Sequence, residues 1–489
     1  MFAPVRFTLP VLIASALLAG CGSSNDRAVE VAVIGDPASP FVGGPRLPLG
    51  AQLVRSATAE GLVGLDERGR VIPALADRWI VTDDGLSYIF RLRDGTWPDK
   101  TPLTGDSARA ALNQAIASVR GTALGADLAA IGEIRAMAGR VVEIRLREAQ
   151  PDFLQLLAQP ELGLTRKGRG AGPMRLTREK RSALLTPIAP EDRGLPQVED
   201  WDERSRKLRL TALAPAQAIE RFNAGEVDVV LGGRFADFPR LDSSGVSRGA
   251  IRLDPVAGLF GLIVVAPQGL LTAAENREAL AMAIDRDALA NALNVGGWVA
   301  TSRIVNPGVG DDNGTVAERW PGQSLEERRS QAAARVARWS DTNGTPRLRI
   351  ALPAGPGSDL MFARLSEDLR AIGIETRKVA EGAPADLRLI DTVARYARAG
   401  WFLNQLSCSN VRALCSSAAD RLATQAVLEP DPARRAELFA QAEAQLTIAN
   451  SFIPFGVPIR WSLVSGRTTG FVPNPWNSHP LMPLAMIPK

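Results

Sequence analysis

Residues 73–95 read PALADRWIVTDDGLSYIFRLRDG. Residues 78–81 and 86–92 are β-patterned runs rich in Val, Ile, Trp, Tyr and Phe, and Thr82-Asp83-Asp84-Gly85 separates them. An Asp-Gly pair between two such runs supplies the backbone that a tight turn needs, so the stretch predicts a β-hairpin. Asp83 and Asp84 stand side by side, as a paired-carboxylate acid/base site would. Next to Gly85 they read instead as turn residues, whose short side chains bond to nearby backbone.

Working outward, residues 29–34 (VEVAVI) predict a strand, and residues 257–265 (AGLFGLIVV), bounded by Pro255 and Pro267, predict a fully buried one. Residues 104–118 place Ala108, Ala111, Leu112, Ala115 and Ile116 on one helical face. A helix over 215–224 closes at Gly225 and leads into a strand over 227–231. Thr272-Ala273-Ala274-Glu275 has the form of a capping box, opening a helix to about residue 293 with Leu280, Ile284, Leu289 and Leu293 inward. Strand 348–352, helix 360–372 and strand 374–379 form a unit that favours a parallel sheet. Asp431-Pro432 opens a helix to about residue 449. Residues 186–197 and 306–315 read as linkers, and no internal repeat is present. The fold class is α/β.

With 489 residues, the chain is long enough for two or three compact units, and 46% hydrophobic residues can supply their cores. The 57 basic and 53 acidic residues leave a net charge of +4, spread without the basic stripe that nucleic acid requires. The single histidine, His479, excludes a multi-histidine metal centre and disfavours triad chemistry. There is no P-loop, no G-x-S-x-G elbow and no zinc motif, so neither an enzyme nor a cofactor is expected.

Residues 1–21, MFAPVRFTLPVLIASALLAGC, combine Arg6 with a short apolar run ending in Leu18-Ala19-Gly20-Cys21. That run is too short to span a bilayer. Its end resembles the lipobox of bacterial lipoproteins, which implies a signal peptide over 1–21 and lipidation of Cys21. Residues 22–28 then read as a polar linker, and the rest of the protein is expected outside the cytoplasm, tethered to a membrane.

An ordered series of motifs carries a second resemblance. It runs through Ala59-Glu60-Gly61-Leu62, Asp66, Gly69, Pro73-Ala74-Leu75-Ala76, Trp79, Asp83 to Gly95 and Pro102-Leu103-Thr104. It continues through Gly170-Ala171-Gly172-Pro173, Phe222 to Asp228, Asn276-Arg277, Ala283 to Arg286, Leu369 to Ile374, Arg434 to Leu438 and Ile453-Pro454. The series resembles family 5 extracellular solute-binding proteins of bacterial ABC importers, which bind oligopeptides, dipeptides, nickel complexes and other solutes. Met174 stands where the family's G-T-G-P-Y turn has its aromatic residue.

The resemblance implies a two-lobed periplasmic-binding-protein fold with a hinge. The first lobe would hold 29–255 plus 458–489, with a small β-rich subdomain over about 66–165, and the second lobe 256–457. A monomer closing on a small-molecule or peptide ligand would then meet an ABC permease.

Peptide-binding members carry an A-D-Y-x-[DE]-P-x-x-F-L segment whose first Asp holds the ligand's ammonium group. Residues 394–403 read ARYARAGWFL, so Arg395 replaces that Asp, Arg398 the second acid and Ala399 the proline. A guanidinium repels ammonium and suits carboxylate or phosphate. Arg395, Tyr396, Arg398 and Trp401 are therefore the ligand-binding candidates, with an anionic ligand group in view. The alternative is that Arg395 pairs with a protein acid such as Asp391.

Cys408 and Cys415 read as a disulfide in an oxidising compartment. Arg460, Trp461, Trp476 and His479 suggest either a ligand surface or, more simply, lobe packing. Two function classes remain in view: a transport binding protein, and a lipoprotein that keeps the fold as a sensor, chaperone or assembly factor.

Overall fold

The computed structural model describes residues 27–487. Cys21, the signal segment and most of the 22–28 linker lie outside the described residues. Val29–Ile34 lies inside a seven-stranded sheet in the order Met174–Arg178, Ser182–Pro187, Leu208–Leu213, Val29–Ile34, Val229–Arg234, Arg460–Val464, Ile251–Leu253. It runs parallel to both of its neighbours, and the outer pairs are antiparallel. A strand covered on both faces needs apolar side chains on both, which is why VEVAVI is a run and not an alternation. Its one charged residue, Glu30, pairs with Arg209 of the neighbouring strand.

A second, five-stranded sheet has the order Glu375–Ala380, Arg347–Leu352, Leu387–Val393, Gly258–Val264, Phe452–Gly456. Arg347–Leu352 and Glu375–Ala380 are parallel and joined by the helix Pro356–Arg370, the crossover unit expected from the sequence. The chain passes between the two sheets twice, at residues 254–257 and 457–459. Phe235 from the first sheet's side meets Phe260 at 5.1 Å between ring centroids, and Phe260 meets Phe455 at 6.1 Å, so aromatic packing continues from one sheet to the next.

The hairpin of residues 73–95 forms in a separate four-stranded antiparallel sheet, Ala76–Val81, Ser87–Leu92, Val141–Leu146, Ile131–Met137. Trp79 lies opposite Phe90 and Val81 opposite Tyr88. Asp84 accepts a bond from the Leu86 backbone N–H at 2.9 Å and another from the Thr82 hydroxyl. Its carboxylate is thus used up by the turn. Further along, the Gly170-Ala171-Gly172-Pro173 turn packs backbone to backbone on the helix Leu49–Thr58. A Cβ on Gly172 would lie 2.4 Å from the Thr58 carbonyl carbon, and so glycine is required there.

Three expectations need correction. The single helix from 272 to 293 is two helices, Ala274–Ala283 and Arg286–Leu293, and Thr272 ends a short 3-10 turn without capping either. Asp285 breaks the run: its carboxylate accepts from the Ala288 N–H at 2.9 Å and caps the second helix, while its own N–H donates to Asp368 at 3.1 Å. Leu280, Ile284, Leu289 and Leu293 are all buried, so the apolar period survived the break. The stretches 186–197 and 306–315 are packed segments and not linkers. Arg193 ion-pairs with Glu60, and Asp312 pairs with the buried Arg303 at 2.9 Å.

A disulfide joins Cys408 and Cys415, with Cα atoms 5.2 Å apart, between the helices Ala399–Gln405 and Ser417–Leu428. Closing a loop this small restricts the unfolded chain by about 2 kcal/mol. The double serine variant is expected to unfold at correspondingly lower urea. Reductant should bring the wild type to the same midpoint.

Candidate functional site

Between the two sheets lies a cavity of about 490 Å³. One side comes from the first lobe, including Gln52, Glu161, Arg234, Arg460 and His479, and the other from residues 391–395 at the end of Leu387–Val393. Asp391 is the fixed point of its charge pattern. Arg234 approaches its carboxylate at 2.9 Å and Arg460 at 2.7 Å, and both arginines also donate to its backbone carbonyl, at 3.2 and 3.1 Å. Burial alone would raise the Asp391 carboxyl, but the two guanidinium charges win and hold it below the usual carboxylate range. Both arginines belong to the first-lobe sheet and Asp391 to the second, so this triad ties the lobes together beside the two crossings.

The pairing of Arg395 with Asp391 does not form, because Arg234 and Arg460 occupy both Asp391 oxygens. Arg395 is half-buried and lines the cavity. Among the described residues, no hydrogen bond or ion pair within 4 Å engages its guanidinium. Its charge acts at longer range on Asp127 and Glu161 of the first lobe: burial raises both carboxyls, and Arg395 pulls both back down. The cavity thus holds three arginines against Asp391 and Glu161, and one of the three has no ion pair.

The other candidates sit elsewhere. Tyr396 is buried, and its hydroxyl donates to Asp127 at 3.0 Å across the lobes. Arg398 ion-pairs with Asp152 of the subdomain and with Asp311 at 3.4 Å. Both line a second interlobe cavity of about 510 Å³. Trp401 is 0% exposed and packs edge-on against Phe402 at 5.0 Å, which leaves it no surface to serve as a ligand wall. The small residues Ala399 and Gly400 let the helix Ala399–Gln405 settle onto Phe439 and carry Trp401 inward.

Near the C-terminus, Trp461 is fully buried and donates to the Arg234 carbonyl at 2.9 Å. Trp476 donates to the Gly69 carbonyl at 2.9 Å. His479 bonds Asp254 at 3.0 Å and stacks on Phe471. All three are bound into packing, although Trp476 and His479 also line the cavity. A larger cavity, about 800 Å³, lies within the first lobe and shares Ser56, Leu65, Gln159, Pro160, Ser478 and Pro480 with the interlobe one.

The fold that frames this cavity, two sheets joined by two crossings, matches known proteins. A sequence model described as "Bacterial extracellular solute-binding proteins, family 5 Middle" matches residues 70–180, which are the β-rich subdomain and the Gly-Pro turn. Over that span the chain is similar to the family 5 extracellular solute-binding proteins. The dipeptide-binding protein of Pseudomonas aeruginosa PAO1 is 22% identical over 466 residues, covering 84% of this chain and 86% of its own. The probable deoxycholate-binding periplasmic protein YgiS of Escherichia coli K12 is 36% identical over 125 residues, 21% of this chain and 23% of its own. Haemophilus influenzae OppA in complex with RPPGFSPFR superimposes with a TM-score of 0.80 at 16% identity, over 95% of this chain and all of that one. The fold is therefore the two-lobed α/β fold of that solved structure. Among the described residues no helix is long and apolar enough to cross a membrane.

Proposed function

We propose that this protein is an extracytoplasmic family 5 lipoprotein that captures a small anionic or peptide-like solute between its lobes and delivers it, as a monomer, to an ABC permease. Arg395 carries the reading. It is a half-buried guanidinium in a 490 Å³ interlobe cavity, without an ion pair among the described residues, and two further arginines already share Asp391. Desolvating a guanidinium without giving it a counter-charge is unfavourable, and a ligand carboxylate or phosphate offers the planar partner it lacks. The relatives that bind peptides or a bile acid support a solute of this general size.

A thermal-shift screen of matched pairs, each a small organic acid and its methyl amide, tests the proposal. Stabilisation by acids and not by their amides is expected, and equal shifts for both members of every pair would sink it. The alternative, a lipoprotein that keeps the fold as a sensor, chaperone or assembly factor, draws on the replaced ammonium site and on Met174, which is buried in the first lobe's core. Solute uptake by cells lacking the protein separates the two: transport predicts loss of uptake of the bound solute.

The lipid anchor has its own check. The wild type is expected to incorporate labelled palmitate and sediment with membranes, while Cys21→Ser should remain unlabelled. Several acyl chains on one polypeptide give firm retention, so a wild type recovered wholly in the soluble fraction would contradict the assignment.

A further inference from the structure

The second interlobe cavity differs in chemistry from the first and shares no lining residue with it. Its walls hold five carboxylates, Asp127, Glu148, Asp152, Asp311 and Asp420, against Arg398 and Arg435. Arg398 answers Asp152 and Asp311, and Arg435 approaches Asp311 at 3.4 Å, which leaves a surplus of negative charge.

Asp127 is the group that points to a ligand. The residue is only 7% exposed. One oxygen, Oδ1, accepts from the Tyr396 hydroxyl at 3.0 Å and from the Asn404 amide, while Oδ2 is buried and has no hydrogen-bond partner among the described residues. The Oε1 of Gln150, whose amide nitrogen donates to the Asp127 carbonyl at 3.2 Å, is buried and unpartnered as well. Both orphans are acceptors. Among the described residues, no buried side-chain donor without a partner lines this cavity. An unmade bond at a buried acceptor costs about 1–3 kcal/mol, and more at a charge. Leu403, Val427, Phe439, Ala129 and Ala130 supply apolar wall.

We propose that this cavity is a second binding site, for a small organic cation: a primary ammonium or amidinium on an apolar body, held by Asp127 and Gln150. Such groups carry N–H donors and no acceptor, the complement of what the walls leave unmet. The walls come from both lobes, so occupancy favours closure, and the site does not depend on Arg395 holding an anion.

Protonation sets the pH range. Burial pushes the Asp127 carboxyl up to about 6, against the lowering effects of Arg395 and the bonds from Tyr396 and Asn404. The groups facing it are Arg395 and Tyr396 after the strand Leu387–Val393, Asn404 on the helix Ala399–Gln405, and Gln150 and Asp152 ahead of the helix Phe153–Leu157, with Arg398 paired to Asp152. A cation binds the ionised carboxylate. Affinity should therefore rise about tenfold from pH 5 to pH 7 and then level off.

The probes are benzylamine, charged throughout that range, and its neutral counterpart benzyl alcohol, titrated by ligand-observed NMR against the full chain. Saturable benzylamine binding is expected, at least about tenfold tighter than benzyl alcohol, rising with pH, and weakened at least about tenfold by Asp127→Asn with benzyl alcohol unchanged. Should that variant fail to fold, the wild-type pH profile decides alone. Equal binding of the two probes, a flat profile, or full benzylamine affinity in a folded Asp127→Asn protein would overturn the site and leave Asp127 as a lobe-closing contact only.

Discussion

Asp391→Ala is expected to cost about 3–5 kcal/mol of folding free energy, the range for removing one partner of a buried ion pair. The reason lies in what the aspartate leaves behind. Arg460 is buried, with 7% of its side chain exposed, and Arg234 lies within reach of the same carboxylate. Without Asp391, two guanidinium groups face each other beside the crossings between the lobes, where each lowers the other's stability. The loss should be larger than for Asp391→Asn, which keeps one acceptor oxygen. Urea titration of the three proteins reads the difference. A change below about 1 kcal/mol in both variants would mean that water in the cavity solvates the arginines and that the triad does not hold the lobes. The pH dependence follows from a carboxyl held below its usual range: the contribution is fully present above the ordinary carboxylate range and disappears as the pH falls through the lowered value.

The second large effect concerns Arg395. Arg395→Asp is expected to weaken an acidic solute by at least about 30-fold, equivalent to about 2 kcal/mol, since truncating one partner of a desolvated charge pair costs that much or more. Reversal also restores the carboxylate that peptide-binding members of the family place there, so affinity for free-amine peptides should increase. Loss of acid binding without gain of amine binding would still assign the anion to Arg395. It would also show that the cavity is shaped against a peptide backbone. Because Arg395 opposes the effect of burial on Asp127 and Glu161, both carboxyls should move further upward in Arg395→Ala.

The parts of this molecule that local chemistry determines were readable in its sequence. Asp84-Gly85 made a turn because a short acid and a glycine solve the turn's backbone problem wherever they occur. Val29–Ile34 read as a strand because a two-faced burial leaves an unbroken apolar run. The helix expected from Thr272 was misjudged because the apolar period runs on unbroken through Asp285, a residue that suits a cap better than a helix interior. Its cap on the Ala288 N–H and its bond to Asp368, 83 residues away, together hold the break.

The candidate site was harder to read, for a related reason. Arg395 stood out against a known motif. Its surroundings, though, are set by Asp127, Glu161, Arg234 and Arg460, and nothing in their own neighbourhoods marks them. Tyr396 and Asp127 meet across 269 positions of sequence. Trp401 looked like a ligand wall because it follows Arg395 by six residues. The helix that begins at Ala399 turns it into the core.

Native mass spectrometry of freshly purified protein tests the central claim most directly. The wild type is expected to carry a co-purified solute bearing a carboxylate or phosphate, and Arg395→Ala to emerge without it. Retention of the same solute by the variant, or a wild-type solute with no anionic group, would contradict the account.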